Sequence, residues 1–268
     1  MTPPEHVASA IPCVLVFTQR ERVRTLVRDA FPRRRTRLIL ARTAGEFAES
    51  FRLTLIDAAL VDFGALTDET WHVSALAREF PSVPFLAMLP LRLSDGPILA
   101  RCATLEFADI LIDGIDDTAL RDLLVPHFYS MRFAVALQQP PEPLNLESRM
   151  QRDAWRYIVA HAGRPVRTAG LAASIGVTRE HLSRTFSSAS APNLKRVIDL
   201  VRLISAAELA KNPGYDTRDV ARILGFASAS HLSTTAQRVV GTRPTSLARL
   251  RTIDLIARFS KGRTRSRS

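Results

Sequence analysis

The chain has 268 residues, of which 46% are hydrophobic, and 37 Lys and Arg against 26 Asp and Glu give it a formal net charge of +11. This length is sufficient for two domains, each with its own buried core. The sequence also lacks the Cys and His spacing of a zinc site, so we expect neither a metal nor another cofactor.

The cysteines and the apolar runs predict where the protein works. Cys13 and Cys102 both lie within apolar segments, so we expect buried thiols in a reducing compartment. The first ten residues contain no apolar signal region, and no run approaches the roughly 18 apolar residues of a membrane span. We therefore expect a bacterial cytoplasmic protein with no membrane partner.

The first half of the chain alternates short apolar runs with segments of helical periodicity. Such alternation predicts a parallel sheet covered by helices on both faces, that is, a flavodoxin-like doubly wound (βα)5 domain over residues 11–136. The predicted strands are Cys13 to Phe17, Arg37 to Leu40, Ala58 to Val61, Pro84 to Met88 and Ile110 to Ile112. The predicted helices are Glu21 to Phe31, Ala44 to Phe51, Glu69 to Phe80, Pro97 to Phe107 and Thr118 to Leu124.

A proline-rich segment follows, and the rest of the chain has helical periodicity. Residues 137–147 include Pro140, Pro141 and Pro143, which favour a stiff, extended linker between two domains. We expect a helical domain over 148–256 and a disordered basic tail over 257–268. From Arg149 onward the chain has 22 Lys and Arg against 7 Asp and Glu, a charge of +15, whereas residues 1–148 carry −4. A basic half of this size suits a polyphosphate partner such as DNA.

This basic half contains one short sequence motif twice. Residues 176–186 read GVTREHLSRTF and residues 225–236 read GFASASHLSTTA, and each copy follows a small-residue helix. Gly176 and Gly225 can each form a left-handed turn, and Thr178 and Ser228 can each cap the next helix. The pattern predicts two helix-turn-helix units, near 168–187 and near 217–239. His181 and His231 lie in separate units and are expected to support helix surfaces, not to hold a metal.

Side chains that face away from the predicted core are the candidate DNA contacts. In the first unit they are Arg179, Glu180, Ser183 and Arg184; in the second they are Ala229, Ser230, Ser233 and Thr234. Arginine can donate two hydrogen bonds to guanine, whereas short side chains reach base edges poorly, so the first unit should discriminate bases better. Arg238 and Arg243 suit phosphate contacts. The helix predicted between the units, Leu194 to Lys211, would be about 27 Å long, against roughly 34 Å between major-groove faces on one side of a duplex.

From about Met150 to Arg251 the chain resembles the DNA-binding domain of the AraC/XylS transcription regulators. The matching positions are Leu171-Ala172, Gly176, His181 to Phe186, Arg202-Leu203 with Ala206 and Leu209, Val220-Ala221, Gly225-Phe226, and Gly241 with Pro244. The resemblance implies seven helices and two recognition helices in successive major-groove segments of a promoter. The sequence departs from the family pattern at Ala191, Thr234 and Ala236, where Gly, Arg and Phe are usual. The last departure predicts a thinner core in the second unit.

The first half resembles a response-regulator receiver domain that has lost most of its phosphorylation chemistry. That family has an acidic pair after the first strand, a phospho-acceptor Asp after the third, Ser or Thr after the fourth and Lys after the fifth. The corresponding residues here are Thr18-Gln19, Asp62, Leu89 and Asp113-Gly114. Only the Asp remains, so Mg²⁺ would lack ligands and a phosphoryl group would lack its Lys. Asp62 is more simply interpreted as a cap of the following segment.

These observations predict a sequence-specific transcription regulator that binds double-stranded promoter DNA. Its N-terminal domain would serve for homodimerisation or another protein contact, and RNA polymerase is a further candidate partner. Two alternatives stay open, a phosphorylation switch at Asp62 and a ligand-sensing domain, for which Leu89 or Gly114 would line an open pocket. No nucleophile, base and orienting group occur together, so we do not expect an enzyme.

Overall fold

The computed structural model describes residues 11–187 and 191–264, and these residues form two compact units. One unit holds Ile11–Arg132 together with Asn212–Tyr215. The other holds Phe133–Lys211, apart from 188–190, and residues 216–264.

The first unit is built on a five-stranded parallel sheet in the order β2-β1-β3-β4-β5. Its strands are β1 (Cys13–Phe17), β2 (Arg37–Ala41), β3 (Ala58–Asp62), β4 (Phe85–Leu89) and β5 (Asp109–Ile112). The strand order reverses between β1 and β3, which is the flavodoxin-like arrangement, so the predicted fold class is confirmed. At the carboxyl end of the sheet, Phe17 pairs with Val61 and Leu89 pairs with Ile112.

Helices connect these strands, as the helical periodicity predicts. They are α1 (Glu21–Ala30), α2 (Ala44–Leu53), α3 (Asp68–Ala75), α4 (Gly96–Thr104) and α5 (Leu120–Leu124), and α6 (Tyr129–Ala136) follows. α2 begins with a capping box in which the Thr43 hydroxyl accepts from the Glu46 amide. The predicted helix up to Phe80 is shorter than expected, because α3 passes into a 3-10 turn at Leu76–Arg78.

The strand residues of β1, β3 and β4 are all buried. Burial on both faces of the sheet explains why these strands are continuous apolar runs in the sequence, without the alternation of a half-exposed strand. Cys13 and Cys102 are buried thiols, as expected, and burial raises the pKa of Cys102 to about 11. β5 forms one edge of the sheet and has Asp109 exposed at its start.

The second unit has seven α-helices among its described residues, the number that the AraC/XylS resemblance implies. They are α7 (Arg149–Ala160), α8 (Thr168–Ser174), α9 (Arg179–Ser187), α10 (Leu194–Leu209), α11 (Thr217–Ile223), α12 (Ala229–Val240) and α13 (Thr252–Thr264). α10 is central, since it packs against α7, α9, α11, α12 and α13. Trp155, Phe186 and Phe259 are fully buried in this unit.

Three predicted boundaries differ from the structure. Residues 137–147 are not an extended linker, because Leu144 and Leu146 are buried and Glu142–Leu144 form a 3-10 turn in contact with α13. The predicted disordered tail is wrong for 257–264, which continue α13 and bury Phe259. Residues 265–268 lie outside the described residues. The helix between the repeats ends at Leu209, two residues earlier than predicted.

Candidate nucleic-acid interface

The first helix-turn-helix unit consists of α8, a short turn and α9. Gly176 takes the left-handed conformation at φ 72°, which suits a residue without a Cβ atom. The Thr178 hydroxyl then accepts a hydrogen bond from the His181 amide at 3.2 Å and so caps α9. Both features agree with the roles predicted from the sequence.

The recognition helix α9 has one buried and one exposed side. Leu182 and Phe186 are fully buried, as their i, i+4 spacing predicts. The four candidate base-reading residues on the other side are all exposed: Arg179, Glu180, Ser183 and Arg184. The long side chains of Arg179, Glu180 and Arg184 are therefore available to a partner that approaches this face.

The second helix-turn-helix unit repeats this construction with one more residue in its turn. α11 begins at a capping box formed by Asp216 and Asp219, and Gly225 takes the left-handed conformation at φ 67°. The turn contains residues 224–228, against 175–178 in the first unit. Ser228 caps α12 by accepting from the His231 amide at 3.1 Å. The His231 ring accepts from the Ala227 amide at 3.3 Å, which gives it the supporting role that the sequence predicts.

The outward face of α12 carries only short side chains. Ser230 and Thr234 are exposed, whereas Ala229 and Ser233 are half-buried. The Thr234 hydroxyl donates to the Ser230 carbonyl at 2.9 Å, which leaves the hydroxyl oxygen as its free acceptor. These four residues line one surface groove together with Arg238 and Arg243.

Sequence reasoning missed several residues that share surfaces with the predicted ones. In the second helix-turn-helix unit, Gln237 lines the same groove as Arg243, and Thr217 and Thr245 complete its rim. In the first helix-turn-helix unit, a groove beside Arg179 and Ser183 includes Arg167 and Lys195. Arg167 occupies the N-cap position of α8 and Lys195 lies in the first turn of α10. A search for basic residues at helix starts next to a recognition helix could have found both.

α10 is joined to the second helix-turn-helix unit by two arginine contacts. Arg238 on α12 donates to Asp199 on α10 at 3.0 Å. Arg202 on α10 donates to the Leu224 carbonyl at 2.9 Å, and its guanidinium lies 3.6 Å from the Phe226 ring centroid. Burial raises the pKa of Asp199, although the nearby Arg238 charge acts in the opposite direction. Arg238 is thus both a candidate phosphate contact and a structural partner of α10.

The turn of the second unit also packs closely against the segment that precedes α8. A Cβ atom at Gly225 would lie 2.6 Å from Pro165 Cγ, whereas a Cβ atom at Gly176 would meet nothing within 4 Å. The glycine is therefore needed at 225 for space as well as for backbone conformation. This contact packs the turn of the second helix-turn-helix unit against the segment before α8, within one compact unit.

The sequence also singled out Asp62, at the end of β3. Its side chain is fully buried, and it accepts from the Gly64 amide at 2.9 Å, as the capping interpretation predicts. Its main partner is a residue that the sequence reasoning missed: Arg20, which donates two hydrogen bonds to the carboxylate. Leu89 is fully buried, so it does not line an open pocket.

Neither a membrane span nor a metal cluster is found in the part of the chain that the structure describes. Over residues 11–187 and 191–264, no helix is long and apolar enough to cross a membrane. Within the same ranges, no three His, Cys, Asp or Glu side chains are grouped so that they could hold a metal ion.

A comparison with protein families gives a match in the second unit. Residues 171–249 match a helix-turn-helix domain family, and this segment covers both helix-turn-helix units. The match and the fold define a DNA-binding helix-turn-helix protein. The match supports the AraC-type resemblance seen in the sequence for this segment, and it supports a role of the helix-turn-helix domain in DNA binding and transcription regulation. No curated protein matches the chain.

Solved structures similar to this chain include receiver domains and full-length response regulators. A response regulator from Thermotoga maritima is 16% identical, with 44% of this chain and 98% of that chain covered and a TM-score of 0.38. The receiver domain of sensor histidine kinase PA1611 from Pseudomonas aeruginosa is 16% identical, with 45% and 98% covered and a TM-score of 0.38. Full-length FixJ from B. japonicum is 14% identical, with 84% and 96% covered and a TM-score of 0.37. The strand order and register of the sheet define the fold of the first compact unit.

Proposed function

We propose that the two helix-turn-helix units bind adjacent major-groove segments of one promoter site, and that α9 supplies most of the base discrimination. The observation that carries this proposal is the shared scaffold: both units are fixed to α10, and the candidate base-reading face of each is open to solvent or only half-buried. A protein built in this way needs no second copy in order to contact two groove segments.

The length of α10 supports this geometry. Its 16 residues give a rod of about 24 Å. Major-groove faces on one side of a duplex are roughly 34 Å apart, so this rod spans most of the distance between them. The contacts of Arg202 and Arg238 with α12 and its turn keep the second unit in a fixed position on α10. The spacing between the two DNA segments should therefore be strict.

The side chains support an unequal division of labour between the units. α9 presents Arg179, Glu180 and Arg184, whose polar ends can reach base edges, whereas α12 presents hydroxyls and a methyl group. Arg238 on α12 and Arg243 just after α12 suit the sugar-phosphate backbone. The second helix-turn-helix unit would then position the protein on the duplex, while the first helix-turn-helix unit selects the base sequence.

The experiment that tests this proposal varies the spacing within a bound DNA site. An insertion of about five base pairs between the two protected segments turns one groove to the opposite side of the duplex. We expect binding to fall toward the affinity for random DNA, because α10 cannot rotate one unit relative to the other. Substitution of the same number of base pairs in flanking DNA is the control. Unchanged affinity after the insertion would mean that only one unit binds.

We further propose that the N-terminal domain mediates homodimerisation through the β5 edge of its sheet. Leu93 and Ile115 are strongly exposed, and they follow the neighbouring strands β4 and β5. Sedimentation of the full chain with Leu93→Glu and Ile115→Glu should show a shift from dimer to monomer. Leu53→Glu is the matched control, since Leu53 is an exposed leucine at the end of α2. A monomeric wild-type chain at high concentration would contradict this proposal and leave RNA polymerase as the partner to test.

A further inference from the structure

The carboxyl end of the sheet in the first unit holds a chain of ion pairs in the place where a receiver domain has its phosphorylation site. Arg20 lies between Asp62 at the end of β3 and Asp113 directly after β5. Arg22 extends this ion-pair network, since it pairs with Asp113 at 2.6 Å and with Asp117 at 2.8 Å. Two arginines and three aspartates thus join the segments after β1, β3 and β5.

Every oxygen of the Asp62 carboxylate is already occupied. Oδ2 accepts from the Thr18 hydroxyl at 2.6 Å and from Arg20 Nε at 2.8 Å. Oδ1 accepts from the Gly64 amide at 2.9 Å and from Arg20 Nη2. A bidentate arginine–carboxylate pair is the strong form of this interaction, and the Asp62 side chain is fully buried.

A divalent cation with a phosphoryl group does not fit this arrangement. Mg²⁺ would need free carboxylate oxygens from at least two residues, but the guanidinium of Arg20 bonds both Asp62 and Asp113. The space beside Asp62 is also filled, because a Cβ atom at Gly64 would lie 2.1 Å from Arg20 Cζ. The hydrogen bonds from Arg20 to Asp62 raise the pKa of Arg20 above its usual range, so this charge is permanent.

We propose that Arg20 is a built-in cation that closes this site to metal and phosphoryl groups and holds the segments after β1, β3 and β5 in a single arrangement. The N-terminal domain is then a module with one fixed state, whose output does not depend on phosphorylation. Asp113 follows β5, and Asp117 begins the 3-10 turn Asp117–Ala119 that leads into α5, so the same ion pairs also hold the segment between β5 and α5.

The first test asks whether the site is closed in the full-length protein. The chain is incubated with acetyl phosphate and Mg²⁺, and its intact mass is measured. We expect no added mass, and the melting temperature should not change when Mg²⁺ and beryllofluoride are added. A mass increase of one phosphoryl group that disappears in Asp62→Asn would overturn the proposal.

The second test asks whether Arg20 holds the segments together. Arg20→Gln removes the cation that compensates the buried Asp62 carboxylate, so the melting temperature of the compact unit that holds the sheet should fall by about 5 °C or more. Arg28→Gln is the matched control on α1, the helix that Arg20 directly precedes, because Arg28 pairs at 3.2 Å with the exposed Glu21. Equal small shifts for the two variants would contradict the proposal.

A double variant keeps this test decisive if Arg20→Gln does not fold. Arg20→Gln combined with Asp62→Asn removes both charges, so neither partner is left buried and uncompensated. We expect the double variant to fold and to have a higher melting temperature than Arg20→Gln alone, and hydrogen exchange at 113–117 to be faster than in the wild type. A double variant that is no more stable than Arg20→Gln would show that Arg20 and Asp62 do not act as a pair.

Discussion

Arg238 on the second recognition helix donates a hydrogen bond to Asp199 on α10 at 3.0 Å. Asp199 is mostly buried, whereas 59% of the Arg238 side chain is exposed. The arginine therefore faces the proposed DNA partner while it neutralises a carboxylate within the protein. We therefore expect both folding and DNA binding to depend on this one side chain.

Arg238→Ala should accordingly have two effects that can be separated. Loss of a phosphate contact weakens binding evenly across sequences and lowers the salt slope by about one unit. Loss of the partner of Asp199 also lowers the stability of the second unit, because a buried carboxylate is left unpaired. Arg243→Ala is the control: it should reproduce the change in salt slope without a fall in melting temperature. If both variants melt like the wild type, the pair with Asp199 has no structural role.

Arg184 on α9 is the residue that we expect to read a base most directly. It is exposed, and its guanidinium can donate two hydrogen bonds to a guanine edge. Arg184→Ala should weaken specific binding by about 1–3 kcal/mol and relax the base preference at one position. Competition with single-base variants of the site measures both effects, and Arg258→Ala on α13 controls for the loss of one exposed charge. Equal losses on specific and random DNA would mean that Arg184 contacts only phosphates.

The two turn glycines provide a matched pair that tests the packing of Gly225 against Pro165, in the segment before α8. Alanine at either position must take a left-handed backbone conformation, which costs about 1 kcal/mol. Gly225→Ala also places a Cβ atom 2.6 Å from Pro165, whereas Gly176→Ala meets no atom within 4 Å. Denaturant unfolding should therefore show a clearly larger loss for Gly225→Ala. Equal losses would rule out the close contact with Pro165.

His161, directly after α7, should make stability depend on pH. Burial lowers the pKa of His161 from 6.5, and the Arg164 charge acts in the same direction. The unfolded chain therefore takes up a proton more readily than the folded one, so this stability is fully present above about pH 6.5 and is lost as the pH falls below it. His161→Phe keeps a ring to stack on Tyr157 without a titrating group. Its melting temperature should fall less between pH 7 and pH 5 than that of the wild type; identical profiles would contradict this.

The sequence predicted the strands well because their chemical signal is local. β1, β3 and β4 are buried on both faces, so each is a continuous apolar run bounded by polar residues. The turns of the two repeats were equally readable, since Gly176 and Gly225 are required by backbone conformation within a few residues of the caps. Exposure along α9 followed from helical spacing alone.

Long-range pairs were not predictable in the same way. Arg20 and Asp62 are 42 residues apart, and Asp199 and Arg238 are 39 apart, so only the packed fold brings each pair together. The proline-rich segment was misjudged for a related reason. Its prolines indicated an extended linker, but the side chains of Leu144 and Leu146 are buried in the helical compact unit.

Selection of bound duplexes from a random DNA library by the full-length chain tests the central claim most directly. We predict one enriched site with two information-rich segments whose centres lie about one helical turn, or 10–10.5 base pairs, apart. The segment bound by α9 should carry the stronger base preference, and Arg184→Ala should weaken that segment alone. A single short enriched segment, or no enrichment over random sequence, would contradict the proposal that both units bind one site.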